Sequence, residues 1–120
     1  MINKIVAIQG DHPNKLNLKS DTSIFLANEA QKRKYKIFYY EPKNLSIINN
    51  KVIAKGFFTK FDYSSKKIFK IIKYQKLDLS ICRYILVRQN PPFNLEYIST
   101  TYILDNIKDT VKIVNNTSSI

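Results

Sequence analysis

A chain of 120 residues suits one compact domain and leaves little room for a second. Its 44% apolar content is enough for a core and argues against global disorder, and its net charge of +11 comes from 20 Lys and Arg against 9 Asp and Glu. A single cysteine, Cys82, excludes an intramolecular disulfide, and no apolar stretch approaches the roughly 20 residues that cross a bilayer. Met1 to Gly10 reads as a core strand and not as a signal peptide, so the expected compartment is the cytoplasm, with no membrane association.

Excess positive charge suggests a polyanionic partner such as nucleic acid. Its distribution along the chain argues otherwise. Lysines are scattered singly over most of the chain, and arginine, the better reader of bases and phosphates, occurs only as Arg33, Arg83 and Arg88. Lys, Asn, Ile and Tyr are abundant together, which matches the compositional bias of an AT-rich genome, and the charge is read as a solvated surface.

Ile2 to Gln9 is a nearly continuous apolar run closed by Gly10, the pattern of a strand buried on both faces. A polar loop with Asp11, His12 and Pro13 follows, and Ser20 to Ser23 is a cluster of helix N-cap types. The spacing then predicts a helix over Ile24 to Lys34, ending in Lys32-Arg33-Lys34 as the helix dipole favours. Lys36 to Tyr40 is the next strand, stopped by Glu41-Pro42, so the first third reads as a right-handed strand–helix–strand unit. Leu45 to Ile48 and Lys51 to Lys60 around Asn49-Asn50 predict a β-hairpin. Tyr63 to Lys76 is compatible with either a strand or a short helix. Tyr84 to Val87 is the strongest buried-strand signal, delivering Arg88 at its end. The turn Gln89 to Asn94 contains Pro91-Pro92, which neither a helix interior nor a central strand accepts. An amphipathic helix from Leu95 to Asp109, with Leu95, Ile98, Tyr102, Ile103 and Ile107 on its apolar stripe, precedes a last strand from Val111 to Val114.

The expected fold is therefore α/β: a small doubly wound, mostly parallel sheet of about four parallel strands, with an inserted β-hairpin. Ligands of such sheets sit beyond the carboxyl ends of the strands, where the loops Gly10 to Ser23 and Arg88 to Asn94 lie. Asp21, Thr22 and Ser23 at a helix start either cap the helix or, with its free N–H groups, bind an anion. No G-x-G-x-x-G is present, which argues against a dinucleotide site. Arg88 either clamps a substrate carboxylate or pairs with a neighbouring acid. His12 reads as a solvated loop residue and Cys82 as a packed small apolar one.

The segment Arg88-Gln89-Asn90-Pro91-Pro92-Phe93-Asn94, with Leu95-Glu96-Tyr97-Ile98 and Thr101-Tyr102-Ile103-Leu104 after it, resembles a block of the prokaryotic glutathione synthases. That block reads Arg-x-Asp-Pro-Pro-Phe-Asp, then Glu-(Phe/Tyr)-Ile and Thr-Tyr-Ile-Leu. Asp21-Thr22-Ser23 with Glu29-Ala30-Gln31 is similar to the family's Asp-Ser-Ser…Glu-Ala-Gln helix start, Asp11 falls at its turn after the first strand, and Val111 to Asn116 resembles its closing strand. The resemblance covers essentially the whole chain. Asn90 and Asn94 replace the family's acids, which removes a charge and keeps a hydrogen-bonding amide.

The resemblance implies that residues 1–120 are the N-terminal, pre-ATP-grasp, Rossmann-like domain of such a ligase. The full enzyme joins γ-glutamylcysteine to glycine through an acyl phosphate, with ATP and magnesium (or manganese) held by ATP-grasp domains outside this chain. It further implies a substrate-pocket role for Asp21, Thr22, Ser23, Arg88 and Asn90, with no catalytic residue, no metal ligand and no cofactor in this piece, which alone is inactive. Two rivals stand beside it: a non-catalytic paralogue or free-standing binding module of the same fold, and a basic nucleic-acid-binding domain. A domain of this kind is also expected to expose apolar surface and form a homo-oligomer, or to be poorly soluble at high salt.

Overall fold

The structure, a computed structural model, describes residues 4–10, 22–61, 69–88 and 102–115. In chain order these form β1 (Ile5–Gln9), α1 (Thr22–Lys32), β2 (Lys36–Tyr40), β3 (Leu45–Ile48), β4 (Lys51–Phe61), β5 (Phe69–Asp78), β6 (Tyr84–Val87) and β7 (Lys112–Asn115). All seven strands join one sheet. β2, β1, β6 and β7 are neighbours in that order and pair in parallel, so the four expected parallel strands are present.

β1 is buried along its whole length because both faces of the parallel strands are covered. Val6, Ile8, Ile37 and Tyr39 pack with Ala27 of α1 on one side. Ile5, Ala7, Phe38, Tyr40, Ile85 and Val87 pack with Leu104, Ile107 and Val111 on the other. Of the expected helix from Leu95 to Asp109, the part before 102 lies outside the described residues. Residues 102–104 are helical and tighten into a 3-10 turn at Asp105–Ile107. Tyr102, expected on the apolar stripe, is 70% exposed, and Leu104 takes the buried position instead.

The sheet is mixed where a mostly parallel one was expected. Three of the pairings among the described residues are parallel and three antiparallel, because the inserted hairpin has grown into a three-stranded unit, β3–β4–β5. The open segment from Tyr63 to Lys76 resolves, from Phe69 onward, into strand β5. A register shift between Phe58 and Thr59 leaves Ile72 without an opposite number. Phe57 and Thr59, two apart on one face of β4, are opposed by Tyr74 and Ile71, three apart on β5. That bulge gives a strand a helix-like spacing of side chains, which is why the sequence pattern was compatible with both.

Local chemistry fixes the joints. α1 ends two residues earlier than expected, and Lys34, at φ 72°, takes the left-handed position after it. Lys34 N–H donates to the Gln31 carbonyl at 3.0 Å and Tyr35 N–H to the Ala30 carbonyl at 3.1 Å, the paired bonds of a Schellman cap. Gln31 also docks the helix on the sheet: its Nε2 donates to the Phe61 carbonyl at 2.7 Å and its Oε1 accepts from Phe61 N–H at 2.6 Å. Asn49 and Asn50 both have positive φ, 52° and 63°, as a two-residue type I′ hairpin turn requires. β3 and β2 lie one after the other along the same edge of β4, leaving Gly56 opposite the gap between them.

Candidate functional site

The carboxyl ends of β2, β1 and β6 form a shelf. Gly10 N–H donates to the Tyr40 carbonyl at 3.2 Å, and Arg88 N–H donates to the Gln9 carbonyl at 2.7 Å. Arg88 therefore starts its loop tied to β1, as the strand signal at 84–87 predicted. It is half-buried, and its Nε has no accessible surface. Gly10 lies flat against it: a Cβ there would stand 3.1 Å from the Tyr39 hydroxyl, 3.3 Å from the Arg88 carbonyl and 3.5 Å from the Arg88 Cβ. The glycine is thus a close-approach residue, keeping the two strand ends and the Tyr39 hydroxyl in contact.

Below the shelf, Gln9 is fully buried, and its Oε1 accepts a hydrogen bond from the Tyr40 hydroxyl at 2.9 Å. The bond fixes which way the amide points. Burial pushes the Tyr40 phenol well above its ordinary range, with the nearby Cys82 adding to it, so Tyr40 is a neutral donor. Cys82 precedes β6, is itself buried, and has its thiol pushed up to about 12, chiefly by burial and secondly by the Asp78 carboxylate. Such a thiol is not a nucleophile at neutral pH. This agrees with its expected role as a packed small residue. Asp78 is turned to local structure, its Oδ1 accepting from Ser80 N–H at 3.0 Å and from the Ser80 hydroxyl at 2.7 Å.

Of the five expected pocket residues, Arg88 is placed on the shelf. Thr22 and Ser23 are in the first turn of α1, and the orientation of their side chains lies outside the description. Asp21, Asn90, His12 and Asn94 lie outside the described residues. Three shelf residues escaped the sequence reading: Gln9, Tyr39 and Tyr40. Gln9 did leave a signal, being a polar side chain at the end of an otherwise apolar run.

The described residues do not fit ATP with its metal. No group of three or more His, Cys, Asp or Glu side chains comes together among them, and the turn after β1 opens on a single glycine, Gly10, where a phosphate cradle needs several. What the shelf offers chemically is an arginine whose backbone is fixed at a strand end, in a half-buried setting, a residue type that pairs with anions. Among the described residues, no helix is long and apolar enough to cross a membrane.

Comparison with known proteins gives the same direction throughout. The chain is 34% identical over 111 residues to the glutathione synthetase of Mesorhizobium japonicum, covering 92% of this chain and 36% of that protein. It is 34% identical over 113 residues to that of Agrobacterium fabrum, covering 94% and 35%, and 35% identical over 116 residues to that of Buchnera aphidicola from Acyrthosiphon pisum, covering 96% and 36%. The chain thus spans about a third of the length of these relatives. The family model described as prokaryotic glutathione synthetase, N-terminal domain, matches residues 5–120, and the chain belongs to that family.

Proposed function

We propose that residues 1–120 act as the substrate-side domain of a glutathione synthetase. The complete protein would be a cytoplasmic ligase that joins γ-glutamylcysteine to glycine at the expense of ATP, in the presence of magnesium or manganese. The observation that carries this is Arg88, held against Gly10 at the carboxyl edge of adjacent parallel strands in a chain of this family. In this reading Arg88 receives a carboxylate of the peptide substrate, and Asp21, Thr22, Ser23 and Asn90 line the same pocket from the two loops that leave the shelf. Gln9, Tyr39 and Tyr40 keep the edge rigid beneath it. The sheet is read as the doubly wound, Rossmann-like layer of a pre-ATP-grasp domain, a reading supported by α1 packing on one face and Leu104 and Ile107 on the other. The cytoplasm is supported by Cys82, a free and buried thiol.

The chemistry assigned to this domain is binding and orientation. ATP, when bound elsewhere in the complete protein, supplies the activation of the carboxylate. No residue described here is placed to act as nucleophile or base. The test uses the protein encoded by the complete reading frame. Arg88→Ala should raise the Michaelis constant for γ-glutamylcysteine by about 10- to 100-fold, the loss expected for one charge-assisted contact, and leave that for ATP within about twofold. Unchanged constants for both substrates remove Arg88 from the pocket. A complete protein with no ligase activity at all favours the binding-module reading.

A further inference from the structure

A second site lies on the α1 face of the sheet, in a groove that Arg88 does not line. Lys55 and Lys76 are directly opposed across β4 and β5 and share one face, with their Cβ atoms at the roughly 5 Å spacing of cross-strand partners. Like charges so placed repel. Among the described residues neither lysine has a carboxylate partner; the ion pairs there belong to Glu29 and Glu41. The next pair on the same face is Phe57 and Tyr74, with ring centroids 5.6 Å apart and edge-on, and Phe57 in turn stacks on Tyr39 at 6.0 Å and 16°. Tyr74 leaves 68% of its surface in solvent. Facing this ladder, the turn at Pro42–Asn44 brings in Lys43 and closes a groove of about 580 Å³.

Lys55 and Lys76 beside an aromatic wall, with Lys43 at the rim engaged by Glu41 at 3.7 Å, form a groove of single-ligand size that selects a ligand with both a planar ring and an anionic group. We propose that this groove binds a nucleotide, with the base against Tyr74 and the phosphate between Lys55 and Lys76. The phosphate relieves the lysine–lysine repulsion, and the base covers an exposed aromatic face. Lysines that stand apart in the sequence are brought together only by the β4–β5 register. The inference is independent of the ligase reading, since no residue of the Arg88 shelf is needed except Tyr39, whose ring backs the aromatic ladder.

Isothermal titration of the 120-residue protein with adenosine monophosphate, adenosine and inorganic phosphate tests it at low ionic strength. Adenosine monophosphate should bind at least about tenfold more tightly than either half alone, and raising salt from about 50 to 200 mM should weaken it severalfold. Lys55→Gln and Lys76→Gln should each weaken it about fivefold or more with a melting temperature that does not fall, because each removes a charge from a repelling pair. Tyr74→Leu should weaken the nucleotide and leave inorganic phosphate unaffected. A tetranucleotide that binds as tightly and is equally sensitive to Lys55→Gln places the nucleotide in a strand, whereas a tetranucleotide that fails while the monophosphate binds places it in the free pool. Adenosine monophosphate no tighter than phosphate, or undiminished in a folded Lys55→Gln/Lys76→Gln double variant, overturns the proposal.

Discussion

Gly56 offers the sharpest test of the sheet architecture, because two effects of opposite sign meet there. Its φ is not positive, so alanine suits the backbone, and replacing glycine would ordinarily stabilise by about 0.4–1 kcal/mol through the unfolded chain. Against this, a Cβ at position 56 would be driven into the Tyr39 carbonyl oxygen, and would stand 2.8 Å from the Tyr40 Cβ and 3.1 Å from the Phe38 ring. Two of those three contacts are not flexible side-chain ends: one is backbone and one is a Cβ of the central strand β2. Relief requires β2 to move away from β4, loosening the pairs Ile37–Thr59, Phe38–Phe58 and Tyr39–Phe57. Overpacking of this kind costs about 3 kcal/mol, so the net change in Gly56→Ala is about 2 kcal/mol destabilising. For a domain of this length that is a fall in melting temperature of about 8 °C, with an unchanged urea m-value. Thermal and urea unfolding followed by circular dichroism measure both. A melting temperature equal to or above that of the parent would mean that β2 and β3 do not meet β4 as described.

The two positive-φ joints predict the reverse sign: Lys34→Gly and Asn50→Gly should each raise stability by about 0.5–1 kcal/mol, read by the same unfolding curves. Cys82 should resist iodoacetamide at pH 8 in the folded protein and react on unfolding. Its folded pKa is raised, so the folded state keeps a proton that the unfolded chain releases. Stability from this group is full below pH 9 and is lost as pH rises towards about 12, a decline that Cys82→Ala should reduce; an identical slope in the variant counts against the buried thiol. Ile72 and Tyr74 are exposed on β5 beside Lys70, Lys73 and Lys76, so self-association should be weak at low salt and grow as salt screens the lysines. Sedimentation showing a monomer at every salt concentration would refute it.

The parallel half of the fold was legible because its strands obey simple rules. β1 and β6 are short apolar runs ended by Gly10 and Arg88, too short for a helix; β1 is buried on both faces, and β6 on alternate residues. The hairpin turn was equally plain, since Asn49-Asn50 is among the few pairs that accept two positive φ values. β5 was not legible, because its bulge imposes a three-residue spacing on a strand. Tyr102 was misplaced because the stripe was carried through position 102, whereas the buried Leu104 and Ile107 are themselves one three-residue helical step that leaves Tyr102 outside it. At the shelf, Arg88 could be found from its position at a strand end, whereas Tyr39 and Tyr40 could not. Both read as ordinary apolar strand residues, and only the parallel register of β2 on β1 brings their hydroxyls to Gly10 and Gln9.

That register also explains how the root of the Arg88 side chain is held in place. Tyr39 and Tyr40 are consecutive, so they point to opposite faces of the sheet, yet both reach the end of β1. One hydroxyl lies above the glycine and the other pins the glutamine amide below, while the Arg88 N–H is bound to the same glutamine's carbonyl. Moving Arg88 by even an ångström would stretch the 2.7 Å bond to Gln9 or press its backbone into Gly10 and the Tyr39 hydroxyl. The side chain therefore begins from a fixed origin. A bulky residue at position 10 would undo this without touching the guanidinium itself. For this reason the glycine belongs with Arg88 as one packed unit, although it carries no functional group.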